Sequence, residues 1–234
     1  MVKLTIRIIS VLILRRILIT AILGIKEISQ RVENKNLRIL GHKPLFCWII
    51  DTLLSVKNIS EIVINADGEN LINQLKSKYD KNLKIISRSD DIKGHEVSMN
   101  RIIEKTLDYC KNDVILNTHV TNPFLKKQTI ENAIDMYLSK ENSMFSVSKH
   151  QNRFYSSDLQ PLNHDPKILK QTQDLECLYE ENSLFYIFSK QEFLKNLNRV
   201  SPHSVPFITS KIESIDIDTE EEWTLSTLIA QTSK

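Results

Sequence analysis

Glu61-Ile62-Val63-Ile64-Asn65, closing on Asp67-Gly68, reads as a strand set between two helical stretches. Before it, Leu45, Trp48, Ile49, Thr52, Leu53 and Val56 recur at helical spacing behind Gly41-His42-Lys43-Pro44, and Pro44 suits a first helical turn. After it, residues 71–79 are helical and residues 83–87 form a short strand candidate. The alternation extends in both directions. Residues 17–23 read as a buried strand, residues 97–110 as a helix with Met99, Ile102, Ile103 and Leu107 on one face, and Asp113-Val114-Ile115-Leu116 as another buried strand. Thr121-Asn122-Pro123 breaks the chain before a helix over 127–138. Strands over 143–148 and 183–188 follow, then a helix near 191–196 and a last amphipathic helix with Trp223, Leu225 and Leu228.

This pattern predicts an α/β fold, a three-layer, Rossmann-like and mostly parallel sheet with helices on both faces. In such a sheet ligands bind at the carboxyl ends of the strands. At 234 residues the chain is long enough for one domain with a full core. We divide it into an ill-defined extension over residues 1–16 and a domain over 17–234. Within that domain, residues 149–181 lack a sustained period, carry Pro161 and Pro166, and read as an excursion from the sheet.

A net charge of +2 gives no field that would draw nucleic acid, so small molecules are the expected partners. Cys47, Cys110 and Cys177 are far apart, odd in number and without a Cys-x-x-Cys pair. Neither a disulfide framework nor a zinc site is indicated, and a reducing, cytoplasmic setting fits. The apolar opening is not read as a membrane span. Arg7, Arg15 and Arg16 interrupt it, each costing roughly 2.5–3.5 kcal/mol near a bilayer centre, and the apolar runs 8–14 and 17–23 are too short to cross.

The stretch Ser214-Ile215-Asp216-Ile217-Asp218-Thr219, followed by Glu220-Glu221-Glu222, carries the chemistry. On a strand, Asp216 and Asp218 stand side by side while Ile215 and Ile217 point into a core. Like charges that close repel unless a proton or cation sits between them, and adjacent carboxylates with open positions suit magnesium carrying substrate phosphates. The competing reading is a solvated acidic strand end before a helix, with Thr219 as N-cap and Glu222 in the capping-box place. The motif alone leaves both open.

Further pieces accumulate along the chain: Arg31-Val32-Glu33-Asn34-Lys35-Asn36-Leu37-Arg38, Gly41-His42-Lys43-Pro44-Leu45, Thr121-Asn122-Pro123-Phe124, Gln173-Asp174-Leu175 and Tyr179-Glu180-Glu181-Asn182-Ser183. In this order, from about Ala21 onward, the chain resembles the acylneuraminate cytidylyltransferase family, enzymes that activate sialic acids and related acidic sugars with CTP. The resemblance implies attack of a sugar-acid hydroxyl on the α-phosphate of CTP, giving a CMP-sugar and pyrophosphate. It implies that Lys26, Arg31 and Lys35 hold the triphosphate from a loop taken as residues 24–38, with Ser29 and Asn36 in the same nucleotide site. Asp216 and Asp218 would hold Mg2+, so that Lys26, Arg31, Asp216 and Asp218 form the expected catalytic set. Arg88, Ser98, His119, which falls where many relatives carry a glutamine, and Asn182 are the remaining nucleotide-side candidates. Each has a plain competing role: a solvated basic loop, a surface arginine, a packed histidine, a turn asparagine. The resemblance also implies a homodimer through residues 149–181 and nine-carbon acids as the first substrates to consider.

The departures bear on activity. Where the family loop reads approximately Pro-Ala-Arg-Gly-Gly-Ser, this chain has Gly24-Ile25-Lys26-Glu27-Ile28-Ser29. The loop glycines that let backbone amides approach phosphate are gone, Glu27 brings a negative charge, and Lys26 lacks the arginine's planar fork. Gln171 stands near a basic residue that in relatives is a candidate to meet the sugar carboxylate, with Lys170 as a substitute. The alternative function is therefore a non-catalytic member that binds a nucleotide or a partner protein.

Overall fold

The computed structural model describes residues 17–94 and 96–232; the expected extension over 1–16 lies outside the described residues. In chain order, β1 (Ile19–Lys26) leads to a small ribbon of β2 (Ile39–Leu40) and β3 (Lys43–Pro44), then α1 (Leu45–Ser55), β4 (Ile59–Asp67) and α2 (Glu69–Tyr79). Next come β5 (Lys84–Ser87), α3 (Met99–Leu107), β6 (Val114–Thr118), α4 (Lys127–Lys140) and β7 (Met144–His150). The chain closes with β8 (Leu178–Ser189), α5 (Lys190–Asn196), β9 (Val205–Ile208) and α6 (Glu220–Thr232).

The seven long strands form one sheet in the order β5-β4-β1-β6-β8-β7-β9. Strands β5, β4, β1 and β6 are mutually parallel, β8 runs antiparallel to both β6 and β7, and β9 is parallel to β7. Chain order reverses direction at β1, with β4 on one side and β6 on the other. That makes the carboxyl ends of β1 and β6 a switch point, where open α/β sheets bind ligands.

Helices cover both faces because the strands are apolar on both. Ala21, Leu23 and Ile25 of β1 pack with Phe46 and Ile50 of α1, Leu71 of α2 and Ile134 of α4. Ile22, one residue out of phase, packs on the other face with Ile103 and Leu107 of α3 and Phe193 of α5. Gly24 permits the close approach of α3, since a Cβ there would meet Met99 Cε at 3.2 Å and Ile102 Cγ2 at 3.3 Å.

Three boundaries differ from the sequence reading. The first strand begins two residues late, with Ile17 and Leu18 exposed, and runs through Lys26, because its pairing with β4 continues to Lys26 opposite Asp67. Gly24, Ile25 and Lys26 are thus strand and not loop. The excursion is shorter than 149–181: β7 reaches His150 and β8 starts at Leu178, since Val147, Ser148, Lys149 and His150 pair with Glu181, Glu180, Tyr179 and Leu178. Residues 215–218 are extended but belong to no sheet. Their backbone is fixed instead by Ile217 N–H donating to the Thr121 carbonyl at 2.9 Å and Asn122 Nδ2 donating to the Ile215 carbonyl at 3.3 Å. The expected alternation survives without the strand: Ile217 is buried beside Trp223 and Phe124, and both aspartates face away from that cluster half-buried.

Candidate active site

The carboxyl ends of β1 and β6 open onto a cavity of 270 Å³ whose walls include Lys26, Arg31, Lys35, Asn36, Arg88 and His119. Six of the residues singled out from sequence therefore meet in one place. Lys26 comes from the last position of β1, Arg31, Lys35 and Asn36 from the loop behind it, Arg88 from the residue after β5, and His119 from the residue after β6. Burial pushes the Lys26 ammonium below its ordinary value, and the positive charges of Lys35, Arg88 and Arg31 add to the effect. A site crowded with cations favours polyanions.

Asn36 locks the loop to the strand, its Nδ2 donating to the Lys26 carbonyl at 2.6 Å. Lys35 is the buried member of the loop, its side chain 10% exposed; Nζ donates to the Ile217 carbonyl at 2.5 Å and to Asp218 Oδ1 at 2.7 Å. Arg31 reaches the other oxygen of the same carboxylate, Nη2 to Oδ2 2.8 Å, with its side chain 70% exposed. Burial alone would raise the Asp218 carboxyl, but Lys35 and Arg31 outweigh it and hold it below the usual carboxylate range. Asp216 behaves oppositely. Burial, with the charge of Asp218 adding to it, pushes its carboxyl up, and its Oδ1 is buried without a hydrogen-bond partner among the described residues. Ser29 Oγ and Asn36 Oδ1 are likewise buried and unpartnered. Of these Asn36 lines the cavity, and an orphaned polar atom beside a cavity is what a ligand site leaves.

The capping reading of the same segment also holds. Thr219 and Glu222 exchange hydrogen bonds, Thr219 N–H to Glu222 Oε2 at 2.8 Å and Glu222 N–H to Thr219 Oγ1 at 3.2 Å, and Asp218 N–H reaches the same Oε2 at 2.8 Å. The box fixes the entry of α6, and through it the position of Asp218. Among the described residues no set of three or more His, Cys, Asp or Glu side chains is placed to hold a metal alone.

Arg88 is buried, with Nε and Nη2 donating to Asn65 Oδ1 and the Asn65 carbonyl, both at 3.1 Å, and Nη1 3.9 Å from Asp67. His119 accepts at Nε2 from Arg199 Nη1 over 3.1 Å, which fixes the proton on Nδ1. Burial, and then the charge of Arg199, push its pKa down to about 3, so the ring is neutral near pH 7. Two candidates stand elsewhere. Ser98 is the N-cap of α3, accepting from Arg101 N–H, and lines a neighbouring pocket and not the 270 Å³ cavity. Asn182 is buried at the irregular step between β7 and β8, donating through Nδ2 to Ser148, Thr209 and Ser214 hydroxyls at 3.0, 2.8 and 3.0 Å.

Glu27 turns away from the cations. Gly68, the N-cap of α2, has no side chain to satisfy the helix, and Glu27 Oε2 accepts from Leu71 N–H at 3.0 Å in its place. Gly68 is required there: its φ is +124°, and a Cβ would sit 2.4 Å from Glu27 Cβ.

Sequence reasoning missed Arg199. Its Nη1 donates to Asn117 Oδ1 and His119 Nε2, each at 3.1 Å, and its guanidinium lies 3.8 Å over the Tyr186 ring. The one signal available was the spacing of Asn117 and His119, two apart at a strand end and so on one face.

Cations gathered at the carboxyl end of a switch point make a site suited to a polyanion, and comparison with known proteins places the chain in a family. The chain matches the Cytidylyltransferase family over residues 26–227 and belongs to that family. It is 27% identical over 222 residues to the CMP-N,N'-diacetyllegionaminic acid synthase of Legionella pneumophila, covering 89% of this chain and 94% of that protein. It is 23% identical to a pseudaminic acid cytidylyltransferase of Campylobacter jejuni, covering 83% and 88%. The N-acylneuraminate cytidylyltransferase of Escherichia coli is also 23% identical, over 91% of this chain and 52% of that one. Among solved structures, a CMP:2-keto-3-deoxy-manno-octonic acid synthetase complexed with CTP shares the fold at TM-score 0.65, 12% identity and coverage of 92% and 99%. A 4-diphosphocytidyl-2C-methyl-D-erythritol synthase from Anaerococcus prevotii does so at TM-score 0.67, 16% identity and coverage of 92% and 97%. The resemblance to acylneuraminate cytidylyltransferases read from the motifs is therefore borne out, as is the fold class. No helix among the described residues is long and apolar enough to cross a membrane.

Proposed function

We propose that this chain transfers CMP from CTP to the hydroxyl of an acidic sugar of the sialic, legionaminic or pseudaminic type. The sugar oxygen attacks the α-phosphorus, the bond from that phosphorus to the bridging oxygen of the β-phosphate breaks, and pyrophosphate leaves. The observation that carries this reading is the convergence of Lys26, Arg31, Lys35 and Arg88 on one cavity at the switch point. A reaction on a nucleotide triphosphate needs charge neutralisation and positioning and little else. The relatives' names supply the acceptor class.

Magnesium fits the residues present. Asp216 Oδ1 lacks a protein partner, and two carboxylates with oxygens to spare match the preference of a hard cation that also takes phosphate oxygens. Asp216 and Asp218 would hold it, and when bound it would offset negative charge on the phosphates. Lys35 and Arg31 now neutralise Asp218. With a metal held by that carboxylate, Lys35 and Arg31 would be left to meet the phosphates. His119, neutral and donating only from Nδ1, offers the nucleotide or sugar a fixed donor and no added charge.

The non-catalytic alternative rested on the altered loop: the missing glycines, Glu27, and Lys26 in place of an arginine. With the Glu27 carboxylate engaged at the α2 N-terminus, the part of that objection that rests on its charge loses its basis. Our reading includes a homodimer in the cytoplasm. Its support is the exposure of Leu159, Leu162, Ile168 and Leu169 on the segment between β7 and β8, a run of apolar side chains that solvent disfavours.

The test is calorimetric titration of CTP with and without magnesium, followed by pyrophosphate release with N-acetylneuraminic, N,N'-diacetyllegionaminic and pseudaminic acids. Magnesium-dependent CTP binding and release with at least one acid are expected. A folded protein that binds no CTP sinks the reading.

A further inference from the structure

Beside the nucleotide cavity, and sharing Met99 with it, lies a larger pocket of 730 Å³. Its lining is of a particular kind. Amides and hydroxyls dominate, from Asn100, Asn196, Asn198, Ser98 and Ser201, with one cation, Arg199. Amides and hydroxyls both give and take hydrogen bonds, which suits a polyhydroxylated ligand. A lone arginine suits one anionic group on it.

Arg199 is held so that half of its guanidinium is already committed. Both of its side-chain hydrogen bonds leave from Nη1, to Asn117 Oδ1 and His119 Nε2, while the Tyr186 ring lies 3.8 Å beneath the plane. The remaining edge, Nε with Nη2, carries two parallel N–H bonds, the geometry that meets a carboxylate in bidentate fashion. No carboxylate among the described residues forms an ion pair with it. Glu181, the acidic residue of the pocket, has its Oε1 engaged by the Tyr186 hydroxyl and lies beyond ion-pair distance, although its charge still acts on Arg199 through space. A half-buried guanidinium with one edge open and no carboxylate in contact favours an anionic partner there. Lys170 and Gln171, the sequence candidates for meeting a sugar carboxylate, do not line this pocket.

The geometry points to Arg199 as the residue that anchors the carboxylate of the acceptor sugar, presenting its Nε–Nη2 edge while Asn117, His119 and Tyr186 hold the guanidinium plane. This rests on the cytidylyltransferase reading above and deepens it. In a 2-ulosonic acid the anomeric hydroxyl is on the carbon that bears the carboxylate. Fixing the carboxylate therefore fixes the attacking oxygen two bonds away, and the hydrogen bond from Arg199 to His119 ties that anchor to the wall of the nucleotide cavity. Specificity follows as well: a neutral sugar leaves this edge of the guanidinium without an anion.

The experiment compares wild type, Arg199→Gln and Arg199→Lys for KM of CTP and KM of the most active of the three sugar acids, alongside the methyl ester of that acid. Removing a charge-assisted bond should raise the KM of the acid about 10- to 100-fold in Arg199→Gln, with the KM of CTP unchanged. Wild type should prefer the acid to its ester, and the variant should not. Arg199→Lys keeps charge without the fork and should lie between. If Arg199→Gln loses its cooperative melt, Arg199→Lys decides alone: an unaltered KM for the acid overturns the assignment. A rise in KM for acid and ester alike, or in parallel for CTP, also overturns it. CTP binding with turnover of none of the acids removes the anchor and leaves the nucleotide site standing, whereas loss of CTP binding in wild type removes both.

Discussion

Lys35 Nζ lies 2.7 Å from Asp218 Oδ1 across 183 residues of sequence, and it donates to the Ile217 carbonyl at 2.5 Å as well. One ammonium thus joins the loop after the first strand to the aspartate segment before the last helix. The two halves of the site assemble around an internal ion pair.

Asp218→Asn should abolish magnesium-dependent pyrophosphate release and also cost stability, because Lys35 and Arg31 lose the charge they pair with. We expect a loss of about 1–3 kcal/mol, measured by urea denaturation. Lys35 and Arg31 hold the Asp218 carboxyl low against the opposing effect of burial. The stabilisation from the pair is therefore complete above the unfolded value near about pH 4 and is lost as pH falls through the lowered one. The variant should lack that acid-side decline. Unchanged turnover in Asp218→Asn would remove the metal assignment.

Glu27→Gln tests where the loop carboxylate points. Glutamine keeps an acceptor oxygen but loses the charge at the α2 N-terminus, which should lower stability by about 0.3–1 kcal/mol, with the Kd for CTP moving less than twofold. A clear tightening of CTP binding would mean that the charge faces the phosphates after all.

His119 titrates at about 3 in the fold because it is buried and faces Arg199. Between about pH 6.5, its unfolded value, and 3, the unfolded chain binds a proton that the folded chain does not. Stability therefore falls as pH falls through that window, by up to about 1.4 kcal/mol per pH unit from this group. His119→Gln should flatten the slope; an unaltered slope in chemical denaturation from pH 4 to 6 counts against a desolvated neutral ring.

Asn182→Ala should destabilise by about 1–3 kcal/mol through loss of its hydrogen bonds to the Ser148, Thr209 and Ser214 hydroxyls, yet leave the Kd for CTP within twofold. A selective loss of CTP affinity in a variant that melts normally would return Asn182 to the nucleotide site.

The sequence made the layers legible because unbroken apolar runs such as 62–64 and 114–116 can be buried on both faces only inside a helix-covered sheet. The cation cluster was legible from family order, since Lys26, Arg31, Lys35 and Asn36 lie within eleven positions of one another. Side-chain direction was not. Whether Glu27 points at phosphate or at a helix end is decided by Gly68, forty-one residues on, and by the missing cap it implies. Arg199 was invisible for a similar reason. Its partners Asn117, His119 and Tyr186 come from two neighbouring antiparallel strands, and only strand order brings them under one guanidinium. The strand expected at 215–218 failed because alternation there is enforced by Ile217 entering the cluster around Trp223, a demand that needs no ladder.

The length of the Lys35 to Asp218 bridge also has a consequence for biosynthesis. At roughly 5–20 residues per second, the ribosome adds Asp218 about ten to forty seconds after Lys35. For that interval the growing polypeptide carries its cationic loop without the aspartates. A nascent chain can lay down β1, β4 and β5 early, but the Lys35–Asp218 bridge closes only when the segment carrying Asp216, Asp218 and Trp223 emerges from the exit tunnel and docks.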